Sequence, residues 1–200
     1  YPAVVQHLKK FEKDLKNRGQ CRYTRQNKER VSNDYTGQHH WLELDNNPQD
    51  DYLSQFEKEK IIYSEIVREP QFHYDNEKFY VEATSFLMTG EHLKYICGLL
   101  NSIPVSFFFK NYYAGGGLGD EGYRYKKAFL ENLPLPPINS YNESLVTQIE
   151  LLVDKIIATK KQNLQADTST IEREIDNLVY KLYDLTPAEI SIIENNIEKG

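Results

Sequence analysis

Three prolines between residues 134 and 137 divide the chain into two parts with different sequence patterns. Proline lacks a backbone N–H and has a fixed φ, so the segment "PLPP" cannot continue a helix or lie inside a sheet. Beyond it, apolar residues recur at steps of four, three and four, a spacing that predicts an amphipathic helix: Leu145, Ile149, Leu152 and Ile156. The prolines therefore predict one domain at residues 1–137 and a helical extension at 138–200.

A second helical stripe follows the polar linker "KQNLQADTST", and it consists of Ile171, Ile175, Leu178 and Leu182. Two capping boxes are predicted in the extension, Ser169 with Glu172 and Thr186 with Glu189, the latter followed by Pro187 at the first helical position. Apolar stripes on consecutive helices predict a C-terminal helical hairpin.

The first 137 residues mix helical and extended patterns. A helix is predicted over residues 2–18, with one apolar face formed by Val4, Leu8, Phe11 and Leu15. The alternation in "WLEL" predicts a short strand, "DDYLSQFEKEK" a short helix, and "KIIYSEIV" a core strand. The aromatic and β-branched stretch at residues 71–88 predicts a hairpin that turns at "DNEK".

Helical spacing returns after Gly90. It predicts one helix in "EHLKYICGLLNS", a second beginning at Pro104, and one or two turns in "KKAFLENL". The predicted fold class is therefore α+β, a mixed α/β domain followed by a C-terminal helical hairpin.

The net charge of −6 hides an uneven distribution. Residues 1–30 carry nine cations and three acids, net +6, whereas residues 31–90 carry four and twelve, net −8. Residues 91–137 are near neutral at 5 − 4 = +1, and residues 138–200 have 6 − 11 = −5. Because salt screens charges beyond about 10 Å, a basic segment can contact phosphates whatever the total charge is.

Several classes of function lack their motifs. Five glycines at 115–122 resemble a phosphate-binding loop, but Asp120 and Glu121 lie before the last of them and no G-K-[ST] is present. No E-x-K supports a metal-dependent nuclease, and Asp14-Leu15-Lys16 is predicted to be helical. The histidines have no zinc-ligand spacing, and Cys97 lies on an apolar helical face, which predicts a buried structural thiol. We therefore expect no catalytic, cofactor or metal site in this chain.

The two cysteines show no pairing motif, which predicts a reduced, cytoplasmic protein. The sequence has no long apolar run, which predicts that it has no membrane span. A helical pattern that begins at Tyr1 suggests a fragment of a longer protein.

Two basic clusters interleave with tyrosine. In the first, at residues 16–30, we expect five residues to approach DNA: Arg22, Tyr23, Arg25, Lys28 and Arg30. Arginine forks can read guanine edges and lysines neutralise phosphates. His39 and His40 are weaker candidates beside them. The second cluster, in "YRYKK", contains Arg124, Lys126 and Lys127.

An ordered series of segments resembles the TaqI-like C-terminal specificity domain, the target recognition region of Type IIG restriction–modification enzymes and related adenine-specific DNA methyltransferases. The series is "YPAVVQHLKKFEKDLKNR", "WLEL", "KIIYSEI", "EHLKYICGLLNS", "GYRYKKAFLENLPLPP" and "IEREIDNLVYKLYDLTPAEISIIE".

The resemblance implies a DNA-recognition module from a bacterial, cytoplasmic restriction–modification system. Its parent would methylate adenine in an N-terminal domain with S-adenosylmethionine, and a magnesium-dependent nuclease would be an optional addition. The N-P-P-Y motif of that domain is missing, since Asn47-Pro48-Gln49-Asp50 is only a partial match that we interpret as a turn. The partners implied are double-stranded DNA and the N-terminal methyltransferase domain. Arg124, Lys126 and Lys127 belong to the shared framework, which favours backbone contact or internal packing for them.

An alternative is a protein–protein docking module that uses the acidic helical tail and does not read DNA. Basic surface collected on one face favours DNA, whereas scattered cations favour docking. The DNA target sequence and the residues that read its bases stay open at this point.

Overall fold

The computed structural model describes residues 1–18, 21, 40–43, 50–81, 84–113 and 122–197. The chain forms two compact units, Tyr1–Leu53 and Ser54–Gly200.

The first unit begins with an almost continuous helix. It consists of α1 (Pro2–Leu8), a 3₁₀ turn (Lys9–Phe11) and α2 (Glu12–Lys16), as the sequence predicts. Pro2 suits the first turn because its missing N–H would have no helical partner there. None of these residues is fully buried, and the predicted apolar face is partly exposed, with Val4 at 54% and Phe11 at 47%.

The predicted strand at "WLEL" is wrong for the residues described, because His40–Glu43 form a turn. The backbone N–H of Glu43 donates to the carbonyl of His40 at 2.8 Å, and the N–H of His40 donates to the Glu43 carboxylate at 2.8 Å. Leu42 N–H donates to Nδ1 of His40 at 3.2 Å. These local bonds occupy backbone groups that a strand would pair with a neighbour.

A predicted short helix, α3 (Asp50–Phe56), precedes the sheet of the second unit. The predicted core strand is present but interrupted at Glu65, giving β1 (Lys60–Ser64) and β2 (Ile66–Val67). β1 is the centre of an antiparallel three-stranded sheet, between β3 (His73–Asp75) and β4 (Ser85–Met88).

The predicted hairpin at "DNEK" is wrong, since β3 and β4 pair with opposite edges of β1 and not with each other. Asp75 ends β3, and its carboxylate accepts the N–H groups of Glu77 at 2.7 Å and Phe79 at 3.0 Å. These bonds organise residues 75–79 around the Asp75 side chain. The chain therefore leaves the sheet after β3 and does not turn back to pair with it.

A buried ion pair joins the start of β1 to the end of β3. Lys60 Nζ contacts Asp75 Oδ2 at 2.5 Å and donates to the carbonyl of Phe56 at 2.8 Å, and both charged side chains are fully buried. Burial raises the pKa of the Asp75 carboxyl, but Lys60 and the N–H groups of Glu77 and Phe79 outweigh it and hold that pKa below its usual 3.8.

Three helices follow the sheet, as predicted: α4 (Leu93–Asn101), α5 (Ile103–Tyr112) and α6 (Lys127–Leu130). Between them lies β5 (Tyr123–Arg124), which pairs antiparallel with β2. α4 packs against the C-terminal helix α7 (Glu143–Gln162) at Gly98, where a Cβ would lie 2.7 Å from Ile149 Cγ2. A side chain at position 98 would therefore push the two helices apart.

The C-terminal hairpin is also as predicted, with α7 packed against α8 (Ser169–Leu182) and followed by α9 (Pro187–Ile197). The capping box at Thr186 is confirmed, because its hydroxyl donates to Glu189 Oε2 at 2.7 Å and accepts the Glu189 N–H at 3.4 Å. The other predicted box is wrong by one residue: Ser169 is already helical, and Thr168, the residue before the helix, bonds Glu172 at 2.7 Å.

One core connects both sides of the proline segment. Tyr63, Leu99 and Phe109 belong to the same buried cluster as Ile149 and Val179. The α+β fold class is confirmed. The functional boundary at residue 137 stays a prediction, and in the structure the segments that flank it share this core.

Candidate nucleic-acid interface

Six of the predicted DNA-contacting residues lie outside the described residues: Arg22, Tyr23, Arg25, Lys28, Arg30 and His39. The structure does describe the residues next to them in the chain, namely the end of α2, Cys21 and the turn at His40–Glu43.

Arg18 joins these neighbours. Its Nη2 donates to the carbonyl of Glu43 at 2.6 Å and to that of Trp41 at 3.2 Å, and its Nε donates to the carbonyl of Leu15 at 3.2 Å. The same Nη2 lies 3.6 Å from the sulfur of Cys21, which is fully buried. A guanidinium can bond several carbonyls at once because its donors have a fixed fork geometry. Arg18 therefore ties the end of the first helix to the turn.

Sequence reasoning counted Arg18 as one more cation of the basic segment. The structure gives it a role inside the first unit, and no feature of the sequence pattern around residue 18 distinguishes it from the neighbouring cations.

His40, the remaining weak candidate of the first cluster, is exposed beside the buried Trp41. Its ring lies 5.8 Å from the Trp41 ring at a 35° tilt, and its Nδ1 accepts a backbone N–H from Leu42. Because Nδ1 is an acceptor in that bond, the neutral ring carries its proton on Nε2.

In the second cluster, two of the three cations lie near an acid. Arg124 Nε is 3.5 Å from Glu65 Oε1, within ion-pair range but without a hydrogen bond, and Lys127 lies 3.3 Å from Glu131 one turn along α6. The exposed Lys126 has no acid within 4.0 Å of its ammonium among the described residues.

The tyrosine of this cluster also contacts a neutralised cation. Tyr123 lies under the ammonium of Lys110 at 5.0 Å from the ring centre, and Lys110 pairs with Glu69 at 2.8 Å. Two of the three cations at 123–127 thus lie near an acid, although Lys127 and Glu131 are themselves largely exposed.

Gly122, the last residue of the glycine-rich segment, has a structural purpose. Its φ is +116°, a conformation that favours glycine, and a Cβ there would lie 2.6 Å from the Val67 carbonyl oxygen. Glycine at this position lets β5 approach β2. The other four glycines of the segment lie outside the described residues.

A set of cations that sequence reasoning did not single out lies on the first helix. Lys9, Lys10 and Lys13 are exposed, and none of them has an acid within 4.0 Å in the part of the chain that the structure describes. Helical spacing puts them opposite the apolar face that contains Leu8 and Phe11. We call these three residues the lysine face. Lys9 and Lys13 are four residues apart, and this spacing in the sequence already indicates a common helical face.

The titratable groups elsewhere fit structural roles. Burial raises the pKa of the Cys97 thiol to about 12, as expected for an inert core cysteine. Burial, opposed by a hydrogen bond from Ile103 N–H, raises the pKa of Asp176 to about 6. Across the described ranges, no group of three or more His, Cys, Asp or Glu residues is arranged to hold a metal ion.

These observations define a class of protein: an α+β module in which some of the described cations stabilise the fold and others, including those of the lysine face, are exposed. A family model described as the TaqI-like C-terminal specificity domain matches residues 8–135. The chain belongs to the TaqI-like specificity domain family, whose members recognise DNA sequence in restriction–modification enzymes and are not themselves catalytic.

No curated protein matches the chain significantly. Within the described residues, every helix is too short or too polar to cross a membrane.

Proposed function

We propose that this chain recognises a specific sequence in double-stranded DNA and positions the target adenine for methylation by a domain that precedes it in the parent enzyme. The family match over residues 8–135 carries the proposal, because it covers the basic clusters and the strands and helices between them. In this proposal the parent is a Type IIG restriction enzyme or an adenine-specific methyltransferase of a bacterial cytoplasm. Its catalytic domains use S-adenosylmethionine and, where a nuclease is fused, magnesium.

Within the chain, we assign base and phosphate contacts to Arg22, Tyr23, Arg25, Lys28 and Arg30. His39 and His40 are secondary contacts in the same region. Lys126 contacts the DNA backbone, since no acid lies within 4.0 Å of its ammonium among the described residues, whereas Arg124 and Lys127 lie near Glu65 and Glu131 and contribute less to DNA binding.

The apolar stripes of the helical tail do not favour the docking alternative. The apolar stripes of the helical tail face inward, with Ile149 and Val179 fully buried in the core of their own unit. A docking surface on the tail would therefore have to use its outer side, where Leu151 and Ile192 are exposed among polar residues, and we favour DNA recognition.

Selection from a pool of random-sequence DNA duplexes tests the proposal. We expect the chain to enrich one sequence that contains adenine. Replacement of both Arg22 and Arg25 by glutamine abolishes the enrichment, because arginine forks carry direct base readout. The matched control Lys155→Gln/Lys181→Gln removes two exposed cations from the helical tail. We expect this control to enrich the same sequence as the wild-type chain.

The methylation part needs the parent enzyme. There, the Arg22→Gln/Arg25→Gln variant lowers methyl transfer to the selected sequence without changing S-adenosylmethionine binding. A wild-type chain that enriches no sequence contradicts the proposal.

A further inference from the structure

We infer that the lysine face of the first helix, Lys9, Lys10 and Lys13, binds the phosphate backbone of duplex DNA. The inference rests on the proposed function and adds to it a sequence-independent contact surface. All three residues lie in the described part of the first unit.

The lysine face lacks close acidic partners. Among the described residues, seven ion pairs hold cations of the second unit near acids, including Lys60 with Asp75 and Lys94 with Asp154. On the first helix, Glu12 is bound to Lys16 at 2.6 Å, and Lys9 acts on Glu12 only at longer range. In this described part of the chain, Lys9, Lys10 and Lys13 form no ion pair, so their charge is available to an external anion.

The charge is concentrated on this segment. Residues 1–18 carry five cations and two acids, net +3, in a chain whose net charge is −6. Lys9 and Lys13 are four residues apart and Lys10 is adjacent to Lys9, so the spacing puts three exposed positive charges on the side away from Leu8, where a phosphate backbone can approach them. An acidic partner without a regular spacing of charges would gain less from this arrangement.

The lysine face is continuous along the chain with the rest of the first unit. The helix ends at Lys16, two residues before Arg18, which anchors the helix end to the turn at Trp41 and Glu43. A phosphate contact by the helix would therefore act on the same body that contains His40, and it would help to fix the orientation of this unit on the duplex.

The salt dependence of binding tests the inference. A fluorescently labelled DNA duplex of arbitrary fixed sequence is titrated with the full chain by anisotropy at several salt concentrations. For Lys9→Gln/Lys13→Gln, the slope of log K against log salt becomes shallower by about 2, roughly 0.9 for each lost phosphate contact, and binding at low salt weakens by about tenfold or more.

Two variants serve as controls. Lys155→Gln/Lys181→Gln removes the same number of charges from exposed positions on α7 and α8, so it isolates the location of the charge from its total. Its slope stays at the wild-type value. Lys9→Arg/Lys13→Arg keeps the charge and restores the slope. Unfolding followed by the fluorescence of Trp41, the single tryptophan, verifies that the glutamine variant is folded.

The inference is overturned by an unchanged slope in Lys9→Gln/Lys13→Gln, by an equal change in the control pair, or by a wild-type chain that does not bind the duplex. It is also overturned if the lysines govern binding to vesicles rich in anionic phosphatidylglycerol but leave the DNA slope unchanged. If the selection enriches one sequence but the salt slope of Lys9→Gln/Lys13→Gln is unchanged, this inference fails and the proposed function stands. If the slope depends on the lysines but the selection enriches no sequence, the proposed function fails and this inference stands.

Discussion

The first helix and the second unit both contain many cations, but these cations have different surroundings. In the second unit, Lys60, Lys94 and Lys110 each lie within 3 Å of a carboxylate oxygen. On the first helix, Lys9 and Lys13 are exposed without such a partner among the described residues. These three cations of the second unit therefore stabilise its fold, whereas Lys9 and Lys13 keep their charge exposed to solvent. Charge totals alone would not separate these two uses.

The largest expected effect comes from breaking the buried pair of the second unit. Lys60→Met leaves the Asp75 carboxylate buried without its cation, so the free energy of unfolding falls by about 3–5 kcal/mol. Chemical denaturation followed by circular dichroism measures the loss. Lys60→Met/Asp75→Asn removes both charges and recovers most of it. Equal stability of Lys60→Met and wild type would refute a structural role for this cation.

Asp176 provides the opposite case in the second unit, a buried acid without an ion-pair partner among the described residues. Burial and the nearby Glu172 and Glu194 raise the pKa of its carboxyl, whereas the Ile103 N–H and Arg173 lower it. That pKa is about 6 in the folded chain and ordinarily 3.8, so the folded chain binds more protons than the unfolded chain between about pH 4 and 6. The free energy of unfolding therefore falls as pH rises through this window, by at most about 3 kcal/mol.

Asp176→Asn removes this pH dependence while keeping an oxygen that accepts the Ile103 N–H. We expect the variant to be more stable than wild type above pH 6 and close to it below pH 4, as thermal unfolding across pH would measure. Asp176→Ala lacks the acceptor and serves as the control, since it should be less stable than Asp176→Asn at every pH. Parallel pH curves for wild type and Asp176→Asn would contradict the assignment.

A smaller effect is expected at Arg18, a cation of the first unit whose guanidinium bonds backbone carbonyls of the same unit. Arg18→Gln loses charge-assisted bonds to the carbonyls of Trp41 and Glu43, at a cost of about 1–2 kcal/mol. Because Trp41 is buried and is the single tryptophan, its fluorescence reports the unfolding of this region. Lys13→Gln on the same helix is the control and leaves the unfolding midpoint unchanged. If both variants unfold alike, Arg18 does not anchor the turn.

The smallest effect separates two neighbouring lysines of the second cluster. Lys126→Gln makes the salt slope of DNA binding shallower by about 0.9, because it removes one phosphate contact. Lys127→Gln has less effect, since Glu131 already lies 3.3 Å from that ammonium. Both variants change stability by less than about 0.5 kcal/mol, as is usual for exposed charges. A larger change in slope for Lys127→Gln would reverse the assigned roles.

Much of the fold was predictable because its helices are encoded by local spacing. The stripes that include Ile149 and Ile175 predicted both helices of the hairpin, and Pro104 predicted the start of α5. The candidate site was predictable only as composition. Which cations are neutralised depends on acids far away in the sequence, such as Glu65 beside Arg124 and Glu69 beside Lys110.

The sequence by itself determined the α+β class, the helical tail and the family, since helical periodicity and ordered motifs do not depend on distant contacts. Only the tertiary structure decided how strands pair and what the charges do. In the structure, β3 and β4 pair with opposite edges of β1, and the described residues of "WLEL" form a turn at Trp41 and not a strand. Arg18 bonds a carbonyl of that turn, more than twenty residues away in the sequence. Pairing and neutralisation are long-range contacts, so no local pattern could fix them.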